Sequence, residues 1–167
     1  MKQLFLVRHA KSDKSMLSLA DIDRPLNERG YSDSHTVAKQ LKAELQNPVL
    51  IISSPAIRAW STAMVFAGEL KYDIEKIVVD RELYETSVSD YLKVIAKQND
   101  EYRTILIFGH NPTISEVHAK LNSSSLLDDM PTSAISIFQL ETDNWSEIAN
   151  CKKTFKRMLI PADYKKF

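Results

Sequence analysis

The chain is poor in several kinds of residue, and each shortage excludes something. A single cysteine, Cys151, stands among 167 residues. That excludes an intrachain disulfide and any zinc site built from several thiolates, and Cys151 reads as a packed thiol on a late strand. No apolar run approaches the length needed to cross a bilayer. The opening Met1-Lys2-Gln3-Leu4-Phe5-Leu6-Val7-Arg8-His9 has four apolar residues before Arg8 intervenes, too few for a secretory signal. Charge of one sign is also missing. The 22 basic and 22 acidic side chains cancel, so the basic surplus of a nucleic-acid binder is absent. Neither a nucleic-acid nor a membrane partner is expected, and the expected location is cytoplasmic. There are no repeats, low-complexity segments or linker-like stretches. With 44% hydrophobic and 26% charged residues, the composition is that of a globular protein. Residues 1–167 are expected to form one domain, long enough to bury a core without staples.

What is present is an alternation of apolar runs and amphipathic stretches. Gln3 to Val7 reads as a buried strand ending at Arg8-His9. Lys11 to Leu26 has no clean period and reads as a long loop, which is often functional. Asn27-Glu28-Arg29-Gly30 opens a helix whose stripe is Val37, Leu41 and Leu45, ended by Pro48. Val49 to Ile52 is a second buried strand. Ser53-Ser54-Pro55 starts a helix to about Gly68, because proline suits a first turn. Ile77 to Val79 is a third strand, Ser89 to Lys97 a helix, and Thr104 to Phe108 the clearest strand of all. It ends in Gly109-His110-Asn111-Pro112, and the next helix carries Ile114, Val117 and Leu121. Ala134 to Leu140, Trp145 to Ala149 and Phe155 to Leu159 are further strand candidates. The expected fold is α/β, a three-layer α/β/α domain with a mostly parallel central sheet.

Three strand ends deliver unusual polar residues: Arg8-His9, Ser53-Ser54-Pro55-x-x-Arg58, and Gly109-His110. Sites in open α/β sheets form outside the carboxyl ends of strands. These histidines and arginines are therefore expected to converge at one sheet edge. Arginine forks match phosphate oxygens and keep their charge. A neutral histidine is a competent nucleophile toward phosphorus, and a second can balance charge on the transferring group. Phosphoryl transfer needs mainly positioning and electrostatic stabilisation, so cationic side chains and a helix N-terminus would suffice without a metal or other cofactor. Taken singly, each residue has an ordinary reading: a structural histidine, a solvated helix arginine, a proline punctuating a helix.

Together the motifs identify a family. Val7-Arg8-His9-Ala10-Lys11-Ser12 and Asp23-Arg24-Pro25-Leu26-Asn27-Glu28-Arg29-Gly30 resemble the histidine phosphatase (phosphoglycerate mutase-like) superfamily, in its small SixA-like branch. Ser53-Ser54-Pro55-Ala56-Ile57-Arg58-Ala59 with Thr62 resembles the second motif, Gly109-His110-Asn111-Pro112 the third. Pro131-Thr132-Ser133-Ala134 also fits the small branch. The resemblance implies that His9 is phosphorylated and that Arg8, Arg58 and His110 bind the phosphoryl group. It implies no metal and no organic cofactor. His9 must attack neutral, its tautomer set by a carbonyl bonded to the other ring nitrogen.

Some positions depart from the family pattern. Ala10 replaces the usual glycine, and an asparagine of larger members falls here near Ser15. Ser12 and Lys11 are candidate substitutes in contacting phosphate. For the proton donor, larger members use an acid in a Leu-x-Glu context. Glu85 of Glu82-Leu83-Tyr84-Glu85 matches, with Glu82 as competitor. Trp60, His35 and His118 read as packing or surface residues. The short chain leaves no room for a large lid, which suits a phosphorylated protein, such as a histidine phosphotransfer domain, as partner. A small phosphate ester is the alternative substrate, and a phosphate-binding module without turnover a third reading.

Overall fold

The computed structural model describes residues 1–124 and 128–165. Six strands form one sheet in the order β3-β2-β4-β1-β5-β6. They are β1 (Lys2–Arg8), β2 (Val49–Ser53), β3 (Val78–Val79), β4 (Thr104–Gly109), β5 (Ile135–Leu140) and β6 (Lys153–Leu159). The first four run parallel, and β5 pairs antiparallel with both β1 and β6. Among the described residues, four α-helices cover the faces: α1 (Glu28–Ala38), α2 (Ile57–Leu70), α3 (Val88–Ala96) and α4 (Thr113–Leu121).

Alternation along the strands divides the core in two. Leu4 and Leu6 of β1, with Ile105 and Ile107 of β4, pack with Tyr91, Val94 and Ile95 of α3 and Ile114 and Val117 of α4. Phe5 and Val7, with Leu106 and Phe108, face Val37 and Ala38 of α1 and Ala63 and Phe66 of α2. Successive side chains of a strand point to opposite faces, so strands covered on both sides read as continuous apolar runs. The expected three-layer α/β/α arrangement is observed.

Register decides what sits at the carboxyl edge. Arg8 pairs with Gly109 across β1 and β4, and Ser53 pairs with Phe108 across β2 and β4. The polar ends of three strands thus lie abreast. His9 N–H donates to Gly109 O at 3.0 Å, and Ser54 N–H donates to Phe108 O at 3.0 Å. The 131–134 segment closes this edge from the other side. Arg8 N–H donates to Ala134 O at 3.1 Å and Ser133 N–H donates to His9 O at 3.2 Å.

Several boundaries differ from expectation. The first helix stops at Ala38 and tightens into a 3₁₀ turn, Lys39–Leu41. Gln3 draws the following backbone toward the sheet, donating to Glu44 O and accepting from Gln46 N–H, each at 3.0 Å. Leu45 still packs against the same cluster. α2 starts at Ile57 rather than at Pro55, because Ser54 Oγ accepts the Ala56 N–H at 3.2 Å and delays the helix. Trp145 to Ala149 is not a strand but begins as a 3₁₀ turn, Trp145–Glu147. There the buried Trp145 donates its Nε1–H to Tyr102 O at 3.0 Å, and its backbone N–H to Asp100 Oδ1 at 2.7 Å. Cys151 lies in the bend before β6 rather than on it, half-buried against the α3/α4 cluster.

One close approach ties α1 to the loop after β1. Asn27 caps α1, its Oδ1 accepting Gly30 N–H at 2.8 Å, while Asn27 N–H donates to Lys11 O at 3.0 Å. A Cβ on Gly30 would stand 2.2 Å from that Lys11 oxygen, a backbone atom with little freedom to yield. Gly30→Ala should therefore cost about 1–3 kcal/mol through overpacking. Urea unfolding should show a lower midpoint with an unchanged slope. An unaltered midpoint would show that the loop accommodates the methyl.

Candidate active site

Arg8, His9, Arg58 and His110 line one cavity of about 500 Å³ at the carboxyl edge of the sheet. His9, Arg58 and His110 are 7%, 5% and 9% exposed, so the floor of the cavity is recessed. Ser12 and Lys11 line it from the loop after β1, and Tyr84, Glu85 and Thr86 from the segment before α3. Ser15 lies outside this lining and instead bonds Asp13. Of the two candidate acids, Glu85 lines the cavity. Glu82 lies outside that lining, 3.6 Å from Lys97. Glu85 has φ 51°, in the left-handed region that non-glycine residues rarely occupy and that clusters at functional sites.

His9 has a defined tautomer. Its Nδ1 lies 2.7 Å from Ala10 O. A carbonyl only accepts, so Nδ1 carries the hydrogen and Nε2 carries the lone pair. The Ala10 peptide is itself fixed, its N–H donating to Thr62 Oγ1 at 3.0 Å, while that hydroxyl donates to Arg58 O at 2.7 Å. One threonine of α2 thus links the backbone after His9 to the backbone of Arg58.

Burial first, and then Arg58, Arg8 and Arg24, depress the His9 pKa to about 4, against the rise that the Ala10 hydrogen bond alone would produce. His110 is lowered to about 3, by burial first, then by His9 and Arg58. Both rings are neutral near pH 7, with centroids 5.2 Å apart. His110 is held by Ser54 Oγ, 2.7 Å from its Nε2, and Tyr84 meets it edge-on with ring centroids 5.6 Å apart. Gly109 lets the Tyr91 hydroxyl sit against the backbone, where it accepts His110 N–H at 3.3 Å. A Cβ there would fall 2.0 Å from that oxygen.

Arg8 donates from Nη1 to Met130 O at 2.7 Å. That carbonyl also accepts from Asn111 Nδ2 at 3.1 Å, and Met130 N–H donates to Ser115 Oγ at 2.9 Å. Arg58 donates from Nη1 to Asp21 O at 2.7 Å and from Nη2 to Asp21 Oδ2 at 2.9 Å. Tyr84 O–H donates to the same Oδ2 at 2.7 Å. That hydroxyl bond, with Arg58 and Arg24, holds the Asp21 carboxyl below its ordinary range, against the effect of burial. Burial and Asp21 push the Tyr84 hydroxyl up to about 12.

The motif reasoning assigned no part to Asp21, Arg24 or Tyr84, all of which line the cavity. Arg24 sits inside a quoted motif, but its direction is set by the folding of an aperiodic loop. The residues read as packing or surface lie elsewhere. Trp60 packs beneath the α1/α2 face, His35 pairs with Glu69 at 2.8 Å, and His118 bonds Ser136 at 2.6 Å. Among the described residues, no group of three or more metal-ligating side chains gathers, and no helix is long and apolar enough to cross a membrane.

Comparison with known proteins gives concordant results. The sequence model of the histidine phosphatase superfamily (branch 1) matches residues 4–94. An uncharacterised chloroplastic protein of Arabidopsis thaliana is 29% identical over 154 residues, covering 87% of this chain and 70% of that one. A crystal structure from Agrobacterium tumefaciens, provisionally named a phosphohistidine phosphatase SixA, is 26% identical with a TM-score of 0.80, over 96% of this chain and 98% of that one. The protein histidine phosphatase SixA complexed with tungstate shares the fold at 24% identity and TM-score 0.80, over 98% and 99%.

The depressed histidines carry a stability consequence. Unfolded, His9 binds its proton near the ordinary 6.5; folded, only near 4. Across that window the unfolded state holds more protons, so stability is fully present above pH 6.5 and is lost as pH falls toward 4. His110 extends the loss to lower pH. Urea midpoints measured from pH 7 to pH 4 should fall, and fall less steeply for His9→Asn. Equal slopes for the two proteins would refute a neutral, buried His9.

Proposed function

The chain belongs to the histidine phosphatase superfamily, branch 1, and from that premise we propose that it hydrolyses protein-borne phosphohistidine through a covalent phosphohistidine on His9. The observation that carries this reading is the His9–Ala10 hydrogen bond, which leaves Nε2 unprotonated in a recessed pocket that Arg8 and Arg58 also line. Nε2 attacks phosphorus, a new N–P bond forms, and the bond to the substrate imidazole breaks. Water then attacks the phosphorus of phospho-His9, releasing phosphate and restoring the neutral ring. Arg8 and Arg58 neutralise the equatorial oxygens, and a bound dianion favours the protonated form of His110, which then donates to it. Ser12 contacts the same group from the loop. No metal is assigned a step, since these cations supply the field.

Two features support a protein substrate. The segments between Arg58 and His110 hold α2, β3 and α3 with short connections, leaving no long insertion to enclose a small molecule. The Agrobacterium protein of like fold and size carries the name phosphohistidine phosphatase. A small-molecule phosphomonoesterase is the second reading, favoured by one observation: Glu85 lines the cavity, where it could protonate an alkoxide. An imidazole leaves readily, particularly when protonated, and makes little demand on such an acid. A binding module without turnover would have no use for a freed Nε2.

The decisive assay mixes the protein, in excess chelator, with a phosphohistidine-bearing phosphotransfer domain or small phosphate esters. Turnover of the phosphoprotein should dominate and vanish in His9→Ala. Chelator-sensitive activity would overturn the metal-free mechanism, and faster ester turnover would overturn the substrate assignment. Glu85→Gln separates the chemistries. It should change phosphohistidine turnover by less than about threefold, whereas an ester reaction relying on this acid would lose about 10²-fold or more.

A further inference from the structure

The loop after β1 has fixed feet and a free tip. One foot is pinned where Asp13 N–H donates to Pro25 O at 2.8 Å and Ser12 bridges Leu26. The other foot is Asp21, which accepts from Arg58 through its carbonyl and its carboxylate and from Tyr84 O–H through Oδ2. Between them the tip is shaped by its own short bonds. Asp13 Oδ1 accepts Ser15 N–H at 2.8 Å, Leu17 N–H donates to Ser15 O at 3.1 Å, and Leu19 N–H donates to Met16 O at 3.3 Å.

What this tip presents is apolar. Met16, Leu17 and Leu19 are 52%, 93% and 41% exposed, and Leu17 is the most exposed large apolar side chain among the described residues. Apolar residues scattered singly over a surface are ordinary. Here three fall within four positions, on a turn that holds them out in water and forgoes the gain of burying them. Loops carried on a rigid frame are where recognition is commonly placed.

The position of the tip says what covers it. Lys14 and Asp21, just before it and just after it, line the cavity that holds His9, whereas Met16, Leu17 and Leu19 do not. A small phosphate compound held inside the cavity leaves the tip in water. A folded protein that lowers one imidazole toward His9 brings the surrounding surface down on the rim, and so onto the tip. Charge argues for a protein over a bilayer. Between residues 11 and 24, Lys11, Lys14 and Arg24 are balanced by Asp13, Asp21 and Asp23, so the loop has no basic surplus to draw it to anionic lipid. Three apolar side chains also offer little area for insertion. Lys11 and Lys14 lie on the cavity side, where they suit carboxylates around a phosphorylated histidine.

We propose that Met16, Leu17 and Leu19 form a docking tip that seats on an apolar patch beside the phosphohistidine of a folded protein substrate, with Lys11 and Lys14 meeting acidic residues of the same surface. This rests on the protein-phosphohistidine reading of the site and adds to it the surface that selects the protein.

Steady-state turnover of two substrates with the same leaving group tests it: a phosphohistidine-bearing histidine phosphotransfer domain and free phosphohistidine. Leu17→Ser and the double variant Met16→Ser/Leu17→Ser should raise KM for the domain by about tenfold or more, the loss expected when a leucine contact is removed. Turnover of free phosphohistidine, and kcat on the domain, should stay within about twofold of wild type. Leu17→Met keeps the apolar volume and should keep the wild-type KM. Met64→Ser removes an exposed methionine of α2 outside the cavity lining and should alter neither substrate. Thermal melting checks each fold, and Leu17→Ser alone decides if the double variant fails to fold. A domain KM within twofold of wild type in Leu17→Ser overturns the proposal alone. So does an equal loss on both substrates, which would make the tip a lid or a support for the loop. Wild type that binds vesicles of phosphatidylcholine and phosphatidylserine, or that dimerises in sedimentation velocity, with either property lost in Leu17→Ser, gives the tip to a bilayer or a second copy and also overturns it. Wild type that turns over free phosphohistidine but not the domain overturns the protein-substrate reading itself.

Discussion

The constraint on which the rest depends is the parallel register of β1, β4 and β2. Arg8 opposite Gly109 and Phe108 opposite Ser53 place three chain reversals side by side. Each reversal begins where an apolar run stops, because the strands are covered on both faces and cannot carry charge inward. The polar residues are thereby pushed to the first positions past the sheet. A slip of one residue would exchange the two faces of a strand, moving Phe5 and Val7 into the layer of Leu4 and Leu6. Core packing on both sides forbids it. The accuracy of the pocket is therefore inherited from hydrophobic burial rather than from its own hydrogen bonds.

Within that frame the Ala10 peptide is the pivot. Its carbonyl orients His9 and its N–H is taken by Thr62. The same threonine receives its place from the first turn of α2, which also carries Arg58. The loop beyond is pressed onto Asn27 and Gly30 of α1. His9, Arg58 and the loop are thus coupled through backbone groups, which change position less readily than side chains do.

Much of this was legible in the sequence, because buried strands and their polar ends are local patterns. The fold class, the strand ends, and the convergence of Arg8, His9, Arg58 and His110 follow from runs of apolar residues and from topology rules. Helix ends were misjudged where side chains recapture the backbone, as Gln3 does at Glu44 and Gln46, and Ser54 does at Ala56. The partner of His9 Nδ1 was unreadable although only one residue away, since it depends on the dihedral angles of Ala10. Asp21, Arg24 and Tyr84 were missed for a different reason. They meet across more than sixty residues of chain, Tyr84 O–H reaching Asp21 Oδ2, and one of their two segments has no period to read. Glu85 matched the Leu-x-Glu context with Glu82 as competitor, and the 3₁₀ turn Arg81–Leu83 with the left-handed Glu85 leaves only Glu85 in the cavity lining.

The charge balance of the pocket favours a particular order of events. Burying two imidazoles beside arginines is costly unless the rings give up their protons, and both do. On the proposed mechanism the nucleophile is thereby held neutral, by burial first and by the arginines second, in the pocket that would receive the phosphoryl group. Arrival of a dianion then reverses the local field. In the proposed mechanism this would favour a proton on His110 when charge on the transferring oxygens needs a donor. In the proposed mechanism His9 would resist the same change, because its Nδ1–H is already committed to Ala10 and its Nε2 would be bonded to phosphorus. The roles proposed for two histidines of similar burial thus differ through one hydrogen bond.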